Sequence, residues 1–304
     1  MGRPPDSLEE EREACERALR ERPDDLELLL DAAELHVGRL QQEDGDRELL
    51  ERGLALARRG AKRARAAGEP EWEGEFALQE ARALAQLGLA GEALARAEAG
   101  LRLLPGDLDL ALERGLALHE LCRFEEARDA LAAVVREEPG DALAHHALGL
   151  ALERLGEPRE AARHLARATR LAPDDFPPPV ALSPADFEAR VEEALAALPE
   201  PVRRYLENVV IQVEDLPAAD ELRAEDPPLS PSILGLFRGS PLGEKASADP
   251  WSHFPSAIVL FQRNLERFAR DERELTDEIR VTLLHEVGHF LGLDEEELYR
   301  RGLD

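Results

Sequence analysis

At 304 residues the chain is long for one compact domain, and its length suggests two. The hydrophobic share is 43% but the aromatic share only 4%, so the apolar mass is mostly Ala, Leu and Val, which suits thin stacked helical layers better than one large core. Acidic residues number 65 against 38 basic ones; the net charge of −27 repels phosphates and anionic lipid, disfavours nucleic acid and membrane as partners, and favours basic peptides. Cys15 and Cys122 lie far apart and show no CxxC spacing, which argues against a disulfide framework. The N-terminus MGRPPDSLEEEREACER has no apolar stretch of the secretory type, and no run has the apolar length of a membrane span. The expectation is a reduced, cytoplasmic protein.

In chain order, a lone helix is expected near Leu8–Arg22, stopped by Pro23 and capping a helical array. Helical patterns over Leu26–Leu40 and Arg47–Ala67, separated by QQEDGD, read as one irregular repeat with a longer loop. A regular period then sets in: Pro105, Pro139 and Pro173 are spaced by 34 residues and close the segments LRLLPGD, VREEPGD and RLAPDD. From Ala142 to Asp175 the sequence ALAHHALGLALERLGEPREAARHLARATRLAPDD carries Leu148-Gly149, Gly156, Ala161, Ala168 and Pro173. Gly115, Ala127, Leu131 and Pro139 fall on the same offsets one unit earlier, and Gly88, Ala93 and Pro105 before that. Small residues let paired helices touch, and Pro stops the second helix before the next unit begins. This stretch closely resembles the tetratricopeptide repeat family. The resemblance implies a recognition scaffold for a protein or peptide, with His119, His145, His146 and His164 as groove or surface residues.

After Asp175 the period is lost. FPPPVALSP has the composition of a stiff extended linker, and Ser183-Pro184 makes a good N-cap and first turn for a new helix. Beyond it, Asp186–Leu198 reads as an amphipathic helix, followed by a short helix around Val202–Glu207, a β-rich run Val209–Val213 and a long irregular loop DLPAADELRAEDPPLSPS. Leu234–Phe237 and Ala257–Phe261 look like short strands, and Ile279–Leu291 is the strongest helix of this half. The expected fold class is α+β overall: an all-α repeat solenoid over residues 1–175, a Pro-rich linker over 176–183 and a small α+β domain over 184–304.

The chemistry concentrates in VTLLHEVGHFLGLDEEEL. His285 and His289, four residues apart, project from one helix face and can hold one metal ion. Glu286 sits beside the open coordination position, where it can take a proton from an attacking water whose pKa zinc lowers from 15.7 to roughly 7. On a helical wheel Ile279, Leu283, Leu284, Val287, Phe290 and Leu291 share one arc; His285, His289, Glu278 and Thr282 lie opposite, with Glu286 at the margin. A catalytic zinc needs a third protein ligand. Gly292 can end the helix in a left-handed conformation and turn the chain back. The acidic residue at the third-ligand spacing of HExxHxxGxxH is Glu295, and the neighbouring Asp294 competes. Asp294 followed by Glu297, however, has the form of a helix N-cap with its capping-box partner.

From about Ser183 onward the chain resembles the small bacterial zincin-like metallopeptidase family, through FEARVEEALAALP, NVVIQVEDLP, ILGLFRGSPL, AIVLFQRNLER and LLHEVGHFLGLDEEELYRRGL. The resemblance implies zinc as the cofactor and a sheet lying over the active-site helix. It also implies an acidic third ligand at the position of Glu295, usually Asp in the family. Ser256–Gln262 is then the expected edge strand to which an extended peptide adds. Trp251 and His253 lie in the loop before that strand, and Tyr299 falls on the final helix. The functional expectation is a zinc peptidase with a repeat module that recruits its substrate. The alternative is a repeat adaptor whose second domain binds metal without significant proteolysis.

Overall fold

The structure, a computed structural model, describes residues 5–38, 47–207, 209–239, 256–294, 297 and 300. The chain forms two compact units, residues 1–176 and 177–304.

In the first unit, α1 (Pro5–Glu21) precedes α2 (Leu26–Val37) and α3 (Arg47–Ala67). Three further antiparallel pairs follow: α4 (Pro70–Gln86) with α5 (Ala90–Leu103), α6 (Leu108–Glu120) with α7 (Phe124–Glu137), and α8 (Ala142–Arg154) with α9 (Pro158–Leu171). Each helix packs mainly on its sequence neighbours, as a repeat array requires. The prolines stop helices, but the aspartate after each turn starts the next one. The carboxylates of Asp25, Asp107 and Asp141 accept the backbone N–H of Leu28, Leu110 and Ala144 at 3.2, 2.8 and 2.9 Å. Ala93, Ala127, Leu131, Ala161 and Ala168, the small and apolar residues of the period, are all buried. A Cβ at Gly115 would lie 2.6 Å from the Leu131 side chain and one at Gly149 2.7 Å from Leu165, so both glycines allow the helix contact. His145 and His119 are not surface residues: both are buried, because they face the partner helix of their pair. His145 Nδ1 lies 2.9 Å from Nδ1 of the half-buried His164, and His146 stacks on Phe176. Cys15 and Cys122 are not joined in a disulfide.

One buried charge in this unit has a testable consequence. Glu80, 3% exposed, sits between Arg96 at 3.3 Å and Arg58 at 3.9 Å. Burial pushes its carboxyl above the usual range even though Arg96 and Arg58 pull the other way. A carboxyl raised in the folded state binds protons more tightly there than in the unfolded chain, so its contribution falls as pH rises through the folded value. Glu80→Gln, which removes that titration, is expected to gain stability relative to the parent as pH is raised from about 5 to 8. Paired denaturant melts across that range check the sign.

The second unit opens with Pro177–Ser183, which is pinned rather than loose. Val180 N–H donates to the Glu266 backbone carbonyl and Leu182 N–H to the Glu266 carboxylate, both at 3.0 Å. Ser183 then caps α10 (Pro184–Ala197), its hydroxyl accepting from Asp186 N–H at 3.2 Å. There follow α11 (Glu200–Leu206), β1 (Val209–Glu214), the short α12 (Ala219–Leu222), β2 (Gly235–Arg238) and β3 (Ser256–Phe261). The unit closes with α13 (Gln262–Phe268) and α14 (Glu272–Leu291). The sheet order is β1-β3-β2, with β1 parallel and β2 antiparallel to β3. The strand expected at the edge, Ser256–Gln262, is therefore the central one, its backbone paired on both sides. That position explains its burial on both faces, with Ile258, Val259, Leu260 and Phe261 all inaccessible.

One face of this sheet packs on α14 and α10. Phe187 and Val191 of α10, Ile258 and Leu260 of β3, and Leu275, Ile279, Leu283, Val287 and Phe290 of α14 form a single core. Each such side chain contributes about 1.5–3 kcal/mol by leaving water. Helix α14 begins seven residues before the expected Ile279. Asp271 caps it by accepting from the N–H of Arg273 and Glu274, both at 2.9 Å. On the opposite face of the sheet, Arg238 of β2 bonds the carboxylates of both Glu214 of β1 and Glu221 of α12. Asn264 of α13 donates to the carbonyls of Pro231 at 2.9 Å and Ile233 at 2.7 Å, which fixes the loop leading into β2.

Candidate metal centre and active site

The last two turns of α14 carry His285, Glu286 and His289. The helix ends at Gly292 in the left-handed region (φ 85°, ψ 22°), with Leu293 N–H returning to the Gly288 carbonyl at 3.0 Å. The two imidazoles meet edge to face, with Nε2 of His285 3.1 Å from Nε2 of His289. Two nitrogens bound to one tetrahedral zinc lie about 3.3 Å apart, so the pair fits a shared transition-metal ion in both spacing and donor type. Both histidines are half-buried, as expected for residues off the core stripe. Leu291, assigned to the apolar arc, is 38% exposed.

Glu286 is placed differently from its marginal position on the wheel. It is 5% exposed and Thr282, one turn earlier, 6%. The reason is β2: Gly235 lies directly against this side of the helix, and a Cβ there would meet Thr282 Cγ2 at 2.6 Å and the Glu286 carboxylate at 3.2 Å. Phe237, on the same face of β2, packs on Phe290 with ring centroids 5.7 Å apart. The helix thus has two buried sides, one on the core and one under the strand.

A cleft of about 760 Å³ opens over the pair. His285, Glu286 and His289 line it together with Gly235, Leu236 and Phe237 of β2, the loop residues Glu225, Asp226 and Pro227, and Asp294. Its described charged lining is acidic throughout. Asp294 accepts the backbone N–H of Glu297 at 2.9 Å, the N-cap geometry expected from the sequence. Glu295, the expected third ligand, lies outside the described residues, as do Trp251, His253 and Tyr299. Among the described residues no three His, Cys, Asp or Glu side chains converge as a metal set; the structure brings together two of the three expected ligands and the glutamate between them. Sequence reasoning did not single out Gly235. The signal available was a glycine inside the β-rich run ILGLF, which marks close approach of another element.

Helical hairpins stacked in series, followed by a small α+β unit with an HExxH helix packed on a sheet, make a repeat scaffold joined to a second, small α+β domain. Residues 206–303 match the family of zincin-like metallopeptidases, and residues 142–175 match the tetratricopeptide repeat. Solved structures similar to the chain include YrrB, a tetratricopeptide-repeat protein described as having an unusual peptide-binding site. It is 18% identical, with 56% of this chain and 80% of that one covered and a TM-score of 0.40. MamA is 17% identical over 59% of this chain and 90% of its own, with a TM-score of 0.42. A thermophilic repeat protein of Thermus thermophilus is 21% identical over 62% and 91%, with a TM-score of 0.41. No curated protein matches. Among the described residues, no helix is long and apolar enough to cross a membrane.

Proposed function

We propose that the chain is a zinc-dependent peptidase, with residues 184–304 as the catalytic domain and the repeats of residues 1–175 recruiting a protein or peptide through the 176–183 connection. The observation that carries this reading is the approach of the His285 and His289 Nε2 atoms to 3.1 Å beside the buried Glu286. His285, His289 and Glu295 would hold the metal. Bound zinc supplies a Lewis acid for the scissile carbonyl and lowers the pKa of the attacking water.

Glu286 then accepts that water's proton and returns it to the leaving amine; its packing beneath Gly235 holds the carboxylate in place for both transfers. Strand β2, an edge of the sheet among the described residues and part of the cleft lining, takes the role first expected of Ser256–Gln262. An extended substrate adds along it by main-chain hydrogen bonds, which would bring a peptide carbonyl to the histidine pair.

The test is metal content of the purified full chain beside His285→Ala, Glu286→Gln and Glu295→Ala, each checked for folding. One equivalent of zinc in the parent and in Glu286→Gln, absent in His285→Ala and weakened in Glu295→Ala, is the expected pattern. No zinc in any of them, even after reconstitution, would sink the reading. Zinc without cleavage of any peptide in a library would favour the adaptor alternative.

A further inference from the structure

Beside the cleft, a second pocket of about 220 Å³ runs along α14 away from the histidines. It shares Gly235, Ile233, His285 and Glu286 with the cleft, so the two adjoin. Its remaining lining is Leu234, Val281, Thr282 and Glu278. Glu278, Val281, Thr282 and His285 form one stripe of the helix, at intervals of three, four and seven residues. Two turns separate the carboxylate from the histidine, about 10 Å along the axis. The lining is therefore mainly apolar between two polar ends, His285 and Glu286 beside the cleft and Glu278 two turns away.

Glu278 differs from most carboxylates around it. Asp277 approaches Arg280 at 4.0 Å, and Glu272 approaches Arg190 at 3.5 Å. Glu278 is half-buried and makes no hydrogen bond or ion pair among the described residues. Burial, reinforced by Glu274, pushes its carboxyl above the ordinary range. A half-buried acid without a cation is a cost to the folded chain that a bound cation would offset.

We propose that this pocket takes a lysine or arginine side chain of the substrate, next to the bond to be cut, with Glu278 pairing the cationic head and Ile233, Leu234 and Val281 covering the apolar stem. The assignment rests on the peptidase reading above and adds the substrate class to it. Long basic side chains combine an apolar stem with a charged tip, which matches the polarity of the lining from end to end. Glu225, Asp226 and Asp294 in the adjoining cleft favour the approach of the same kind of peptide.

The experiment uses the zinc-loaded full chain and a peptide series that differs at one position: arginine, lysine, norleucine or glutamate. The parent is expected to favour the basic peptides by about tenfold or more in kcat/KM. Glu278→Gln is expected to erase that preference by lowering kcat/KM for the arginine and lysine peptides toward that of the norleucine peptide, and Asp277→Asn, an exposed neighbour, to leave the preference unchanged. Equal cleavage of norleucine and arginine peptides by the parent, or a preference that survives Glu278→Gln, overturns the assignment and leaves the peptidase reading standing.

A measurement without turnover separates the two ideas. Ligand-observed NMR of n-butylguanidinium should show binding to the parent that is lost in Glu278→Gln. That result with no peptide cleaved would retain the pocket and remove the peptidase; equal signals from both proteins would remove the pocket.

Discussion

Glu286→Gln is expected to lower peptide hydrolysis by about 10²- to 10⁴-fold while leaving zinc content and folding unchanged. Gln keeps the shape of the side chain and its packing under Gly235, so neither the helix nor the strand has reason to move. What it removes is the basic carboxylate that, on the peptidase reading, would accept the water's proton and deliver it to the departing amine. His285→Ala should lower hydrolysis as well, but by losing the metal. The two variants therefore separate on a zinc assay even where both look inactive. Steady-state cleavage of an accepted peptide, with metal measured on the same samples, checks the expectation. Hydrolysis by Glu286→Gln within about threefold of the parent would assign the proton transfer to another group.

Much of this molecule is legible without coordinates, and the reasons are local. The 34-residue recurrence of Pro105, Pro139 and Pro173 locates the hairpins because a proline cannot continue a helix, and α3 is found at Arg47–Ala67 as expected. The histidine pair is legible because residues four apart on a helix must share a face. What escapes is set by long-range pairing. Nothing local to AIVLF says whether that strand is flanked on one side or two; the choice depends on β1, which comes well before it in the chain, adding parallel to it. The same gap hides the burial of Glu286. A wheel reports one apolar arc, whereas α14 is covered on a second side by a strand whose glycine makes no appeal to hydrophobicity. Helix α13 escapes because QRNLERF follows directly on β3 and reads as its continuation. The early start of α14 escapes because its first turns are polar, although Asp271 and Glu274 carry a capping signal.

Gly235 joins fold to chemistry, and substitution there should separate the two. In Gly235→Ala the new methyl lies 2.6 Å from Thr282 Cγ2 and 3.2 Å from the Glu286 carboxylate, so β2 must rise off the helix or both side chains must shift. Overpacking of this kind costs about 1–3 kcal/mol, which a denaturant melt resolves. Hydrolysis should fall further than stability alone explains, since below the melting transition the chain remains folded but its carboxylate is displaced. Adding Thr282→Ser removes the Cγ2 atom and with it the closest clash. The double variant should recover most of the lost stability, yet its methyl still presses on Glu286, so hydrolysis should stay low. Activity that returns in step with stability would mean that Gly235 serves packing alone. Recovery of stability without activity would mean that the glycine is kept small for the sake of the carboxylate beneath it.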